Sequence, residues 1–255
     1  MLQQQFIDTI PQQEVSLAIN TTISLLYSQL FIQLERTSKE WIIEWNHFDI
    51  LNGNPCGQWR TANIERYVLP ENQHHAKFSE VLADRSIVTK LNAPLNLLPN
   101  SNVMLFVGTP IWLRLSFGEK KIKDFPVIIL SDTWFGTSTR EGEVCYSSNT
   151  RARLDKSLFS VDSYKALTPI EVKNKSDENL VLDKINVPLP ILSLYRNSAN
   201  ELLTSSIKIE VDNKLNDAAL TITEPNGNDH IKKIGPPRNE SKSKVIKRTL
   251  DLLFS

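Results

Sequence analysis

Residues 166–195 read ALTPIEVKNKSDENLVLDKINVPLPILSLY, and their hydrophobic rhythm decides the fold class. Ile170 and Val172 alternate with Glu171 and Lys173, the period-two pattern of a strand with one buried face. The polar run Asn174–Asn179 (NKSDEN) is a turn, after which Leu180 and Leu182 resume the alternation. The phase then slips, because Ile185 and Val187 are odd-numbered where Leu180 and Leu182 are even. One extra residue near Asp183-Lys184 produces such a slip, and a β-bulge is its physical form. Pro188 and Pro190 then end the pairing or mark a sheet edge.

Outward from this stretch the pattern continues. Ile191–Tyr195, Ser206–Val211 and Ala218–Thr223 are three further short strands. About seven strands at this spacing indicate an immunoglobulin-like β-sandwich, an assignment resting on pattern because no Cys–Trp–Cys signature is present. In the first half, Trp41, Ile43 and Trp45 alternate with Ile42, Glu44 and Asn46, and Val103–Val107 and Ile111–Phe117 flank Gly108-Thr109-Pro110. Asn52-Gly53-Asn54-Pro55 is a turn. Phe78, Val81 and Leu82 fall at i, i+3 and i+4, which predicts one short helix within Glu71–Leu91. The reading is therefore mostly β, with two packed β domains. Residues 1–123 form the first, with the helix; residues 124–224 form the sandwich; residues 225–255 are a basic linker and a short amphipathic tail.

Composition bounds the function. Apolar residues make up 40% of the 255 and charged residues 23%, a globular balance. The formal charge is zero, so no global field recruits nucleic acid and none is expected as a partner. Ile231–Arg248 nevertheless carries seven basic residues and one acidic. No apolar run reaches the ~18–20 residues of a spanning helix, and the start of the chain lacks the basic and apolar regions of a secretory signal, so a cytoplasmic protein is expected. Cys56 and Cys145 lie too far apart in sequence for a CxxC motif and are too few for a disulfide framework. No dinucleotide fingerprint, P-loop, zinc-protease or hydrolase motif occurs, and adjacent His74-His75 point apart, so no cofactor and no metal are expected.

One segment concentrates chemistry: residues 131–155, SDTWFGTSTREGEVCYSSNTRARLD. A strand at Glu141–Tyr146, a turn at Ser147–Asn149 and a return strand at Arg151–Asp155 give a hairpin with one apolar face. A three-residue loop sets Glu143 opposite Arg153, and a bidentate arginine–glutamate pair is the obvious use. Charges cross-linking strands is one reading. The other is a polar pocket gripping an anionic ligand, with Asp132, Trp134, Arg140, Glu141, Glu143, Arg151 and Arg153 as candidate binding residues. Acid catalysis by Asp132 with Glu141 or Glu143 is disfavoured, since nearby arginines hold carboxyl pKa values down. Cys145 has no histidine near it in sequence to serve as a base, so no catalytic residue is assigned.

SDTWFG, TREGEVCY and TRAR, followed by the stretch quoted first, resemble the prokaryotic domain-of-unknown-function family 432 over about Pro94–Ile222. The resemblance implies no catalytic residue. Bacterial members of that family are often encoded beside small-conductance mechanosensitive channels, which implies a membrane-channel partner. The expected function is then a non-enzymatic binding or accessory module. Its basic tail, Lys232–Arg248, would contact the inner membrane surface, and Leu250, Leu253 and Phe254 would insert shallowly. The alternative is a small anionic-ligand-binding protein or enzyme built on the Asp132–Arg153 segment.

Overall fold

A computed structural model of the chain describes residues 4–7, 14–51, 54–56, 63–68, 70, 74–138, 140–158, 164–213, 217–225, 230–240, 245–249 and 253–254. Among these are 22 β-strands and two single-turn 3-10 helices, Lys156–Leu158 and Leu189–Ile191, so the chain is mostly β. No helix among the described residues is long and apolar enough to cross a membrane. The chain divides into two units that interleave in sequence: Met1–Val81 with Ile111–Ile129, and Leu82–Pro110 with Leu130–Ser255. A single boundary near residue 124 does not describe them, because one strand, Ser101–Phe117, gives its first ten residues to the second unit and the rest to the first.

The first unit holds a five-stranded sheet in the order Gln4–Ile7, Thr21–Tyr27, Leu30–Arg36, Trp41–His47, Asn63–Tyr67. The first pair is parallel and the others antiparallel. Trp41 and Ile43 are buried as their alternation requires, and Trp41 packs on Phe117 with ring centroids 4.5 Å apart. Gly118, at φ +58°, turns the chain into Lys120–Pro126, where Asp124 receives both arms of the Arg114 guanidinium at 2.8 and 3.0 Å.

The helix expected over residues 71–91 is replaced by two strands, His75–Leu82 and Ile87–Leu97. Ala76 and Phe78 are buried on alternate positions, and the i, i+3, i+4 spacing arises because Val81 and Leu82 are both buried where the strand ends. The Asn52–Pro55 turn begins outside the described residues, and Asn54–Cys56 is a strand pairing with Asp49–Leu51.

The second unit contains two sheets. The smaller runs Asp132–Phe135, Glu143–Ser147, Ile87–Leu97, Leu180–Val187. In the larger, Lys165–Asn174 pairs antiparallel with Ser101–Pro110 and parallel with Ser206–Val211, with Asp217–Thr223 and then Val245–Thr249 beyond. Apolar side chains at alternate positions, among them Leu105, Ile170, Ile207 and Leu220, are buried. An immunoglobulin sandwich consists of antiparallel sheets, whereas here Lys165–Asn174 with Ser206–Val211, and Ile87–Leu97 with Glu143–Ser147, are parallel pairs.

The irregularity expected at the phase slip is present, but the extra residues lie on the partner strand Ile87–Leu97 and not at Asp183-Lys184. Lys184 pairs with Lys90 and Leu182 with Leu95, so Asp183 stands against four residues, Leu91–Pro94. The tail differs from expectation. Val245–Thr249 is a strand rather than a linker or free tail, and Lys232–Gly235 is another, at the end of the larger sheet. Leu253 and Phe254 are 0% and 6% exposed, and Asn186 N–H donates to the Leu253 carbonyl at 3.0 Å. These two side chains already have an apolar environment and are not free to enter a bilayer; Leu250 lies outside the described residues.

Candidate functional site

The four-stranded sheet positions the site through its pairing register. Residues directly opposite one another project to the same face. Thr133 faces Cys145, Phe135 faces Glu143, Ser147 faces Val88, Val88 faces Asn186, and Lys90 faces Lys184. One face therefore carries an apolar middle, where Val88, Phe135 and Cys145 form a buried cluster. At one side of it lies a polar network: the Glu143 carboxylate accepts from Asn186 Nδ2 at 2.5 Å and from Ser86 Oγ at 3.2 Å. At the other side stand the two lysines.

Lys90 and Lys184 are juxtaposed like charges, an arrangement that costs stability on a sheet. Among the described residues neither has a hydrogen-bonding or ion-pairing side-chain partner. Above them lies a cavity of about 580 Å³, lined also by Trp134, Gly136, Arg151 and the hydroxyl-rich run Ser147–Thr150. No carboxylate lines it among the described residues. Three cations with hydroxyl and amide donors and no acid make a site for an anion.

The segment Ser147–Arg153 forms the cavity wall and is threaded between the two sheets of the second unit. Ser148 N–H donates to Val88 O at 2.8 Å and Ala152 N–H to Lys90 O at 2.9 Å; Arg153 and Phe106 exchange both backbone bonds. The Thr89 hydroxyl donates to Thr150 O at 2.8 Å, and the Thr150 hydroxyl to Gly108 O at 3.0 Å. Arg151 Nη1 donates to Leu91 O at 2.9 Å. Its remaining guanidinium donors have no partner among the described residues.

The expected hairpin of Glu143 against Arg153 is not formed. Glu143–Ser147 pairs instead with Asp132–Phe135, Glu143 opposite Phe135, and Arg153 pairs through its backbone with Phe106 while its side chain is exposed. The reason is the tight turn at 136–142, which brings the preceding strand into register. Gly136 has φ +144° and sits against the Glu141 carbonyl, where any Cβ would collide.

Of the seven candidate residues, Arg151 lines the cavity, and Trp134 borders it through its edge strand while its register places its side chain on the other face, opposite Val144. Asp132 lies on the opposite face with Tyr146, exposed and paired to Arg85 at 3.1 Å. Arg140 and Glu141 are exposed in the turn, where their N–H groups donate to Ser138 Oγ at 3.3 and 3.0 Å. Lys90 and Lys184 were missed. Each is a single lysine in an apolar strand pattern, and only the strand register sets them opposite one another. The slip at Asp183-Lys184 was the sole signal, and it marked a local irregularity without naming its partner strand.

On the opposite face Tyr146 donates its hydroxyl to Asp84 at 2.9 Å under the Arg85 guanidinium, 5.1 Å from the ring. Burial, with Asp84 as acceptor, pushes this phenol up to about 12.

Fold and site thus define a mostly-β protein with a cation-lined cavity on one sheet face. The chain belongs to the family described as protein of unknown function (DUF432), whose model matches residues 13–254. The match takes in residues 13–93, which lie outside the earlier resemblance. No curated protein and no solved structure gives a match.

Proposed function

We propose that this protein is a non-enzymatic binding module that takes a small anionic ligand in the cavity over Lys90, Arg151 and Lys184. The observation that carries the reading is the Lys90–Lys184 pair. Two ammonium groups held in register on adjacent strands, with no acid on the cavity wall, are relieved by a bound anion. Solvation of the two flexible side chains is the competing account, and it requires no third cation and no cavity. Titration calorimetry with pyrophosphate decides between them. Saturable binding that weakens at least tenfold in Lys184→Gln, and falls with added salt, supports the reading. The absence of saturable binding at millimolar pyrophosphate overturns it.

The wider proposal, an accessory role beside a membrane channel, draws support from the family resemblance and from Lys232 and Lys233, exposed on the terminal strand of the larger sheet. Affinity purification from gently solubilised cells tests it. A co-purifying channel lost in Lys232→Glu/Lys233→Glu supports it, and a partnerless protein counts against it.

A further inference from the structure

We infer that the outer edge of Asp132–Phe135 is a docking surface for a second copy of this chain, the two strands pairing antiparallel about a two-fold axis at Trp134. The two edges of the four-stranded sheet are treated differently. At Leu180–Val187 the chain's own end closes the edge: Asn186 N–H donates to the Leu253 carbonyl at 3.0 Å, and Ile185 bridges to Phe254. At the other end of the strand order stands Asp132–Phe135, paired on one side only, with Asp132 and Trp134 exposed. Ser147 N–H donates to the Ser131 carbonyl at 2.8 Å. The alternation of an antiparallel ladder then turns the main chain of Thr133 and Phe135 inward and that of Asp132 and Trp134 outward. Those outward groups have no main-chain partner among the described residues. Apart from being short, the strand carries none of the devices that blunt an edge, neither proline nor lysine nor bulge.

The side chains beside this edge are apolar and fixed. Trp134 and Val144 stand directly opposite one another and are 46% and 48% exposed. The indole Nε1–H donates to the Ser138 carbonyl at 3.1 Å. Gly142 lies so close to the six-membered ring that a Cβ there would stand 2.7 Å from Cε2 and Cζ2. A tryptophan held in one orientation and left half open loses little entropy on burial, as an interface anchor must.

Self-complementarity selects the occupant. Pairing about Trp134 sets the outward N–H and C=O of one Trp134 against those of the other and puts both indoles on one face, an aromatic cross-strand pair. It also sets Asp132 opposite Gly136 of the second copy, where no side chain obstructs it, and beside that copy's 136–142 turn. The turn carries Arg140, exposed and without an ion-pair partner among the described residues. The Asp132 side chain is 64% exposed beyond its contact with Arg85, so it is open to a second cation. A two-fold interface repeats every contact, and the acid of each copy thus meets the base of the other.

Sedimentation velocity of the full-length protein across the micromolar range tests the inference. A concentration-dependent dimer is expected, and it is lost in Trp134→Lys, which sets two like charges face to face. Asp132→Lys and Arg140→Glu should each weaken the dimer about fivefold, exposed ion pairs being weak but occurring twice. The double variant Asp132→Lys/Arg140→Glu should restore it; thermal melts confirm that every variant folds. A protein monomeric throughout overturns the inference and leaves the edge to a strand of another protein or to solvent. A dimer that survives Trp134→Lys also overturns it, since the copies then meet elsewhere. A double variant no tighter than its singles overturns the two-fold register.

Discussion

The Arg151 guanidinium donates to the main-chain carbonyl of Leu91 at 2.9 Å, inside the four-residue bulge where Ile87–Leu97 leaves its pairing with Leu180–Val187. The neighbouring Ala152 N–H caps the Lys90 carbonyl in the same way. A bulge frees backbone carbonyls that a regular ladder would occupy, and here the segment following Glu143–Ser147 satisfies them. Arg151 thereby holds the bulge and presents its remaining donors to the cavity.

Arg151→Met keeps the apolar stem and removes every donor. Leu91 is buried, so its carbonyl loses its partner without gaining water, at a cost of about 1–3 kcal/mol. Urea denaturation measures this, and Arg151→Lys is expected to recover part of it. A stability unchanged in Arg151→Met means the carbonyl is satisfied some other way.

Glu143 is held by Asn186 rather than by Arg153. Asn186 is buried, and its amide donates to the carboxylate at 2.5 Å. Asn186→Leu leaves a charged acceptor part-satisfied at the sheet face and is expected to cost about 2–3 kcal/mol. Arg153→Ala keeps the backbone exchange with Phe106 and removes an exposed side chain, so a change within ~0.5 kcal/mol is expected. The reverse order in chemical denaturation would restore the arginine–glutamate pair as the central contact.

The contrast between these two variants shows how far the sequence could be read. Strand identity was legible at Ile170–Val172 but not at His75–Leu82, where burial of both Val81 and Leu82 mimics helical spacing, and the slip at Asp183 was legible as a break in phase. Partnership was not. Glu143 could be matched to Arg153 only by assuming that neighbouring strands in sequence pair through the Ser147–Asn149 turn. In the structure the closing turn is 136–142, and the residues after Ser147 cross to another sheet. Lys90 and Lys184 lie 94 positions apart in sequence and meet only through register. The tail misled for a related reason: clustered lysines suggest a solvated end, yet a backbone pairs along its edge while its charged side chains stay exposed, as at Lys232 and Lys233.

Tyr146 sets an alkaline limit. Its folded pKa is raised to about 12 from 10.0, by burial first and then by the Asp84 acceptor, with Asp132 adding and Arg85 opposing. A raised pKa contributes stability that is complete below the unfolded value and is lost as pH climbs through the folded one. Stability therefore declines between about pH 10 and 12. Tyr67, bonded to Glu65, is raised to about 12 as well and contributes in the same window. Tyr146→Phe should flatten part of that decline, and Tyr67→Phe/Tyr146→Phe more of it, relative to wild type in urea melts across this range. Parallel curves for wild type and Tyr146→Phe would show that the phenol titrates normally.

The end of the chain provides the last test, because two accounts of it predict opposite results. As a membrane anchor, Leu253 would contribute to lipid partitioning and nothing to the stability of the protein in solution. In the structure Leu253 is fully buried, its carbonyl receives the Asn186 N–H, and Phe254 bridges to Ile185. The strand edge beside Asn186 is thus covered by the last residues of the chain, and Asn186 in turn holds Glu143. Leu253→Ala should then cost about 2–5 kcal/mol, the usual range for emptying a buried leucine site. Because a weakened edge loosens Asn186, the same variant should also raise hydrogen exchange at the Asn186 amide above that of the Ile170 amide in the larger sheet. A Leu253→Ala protein as stable as wild type, with reduced binding to anionic vesicles, would return the anchor account.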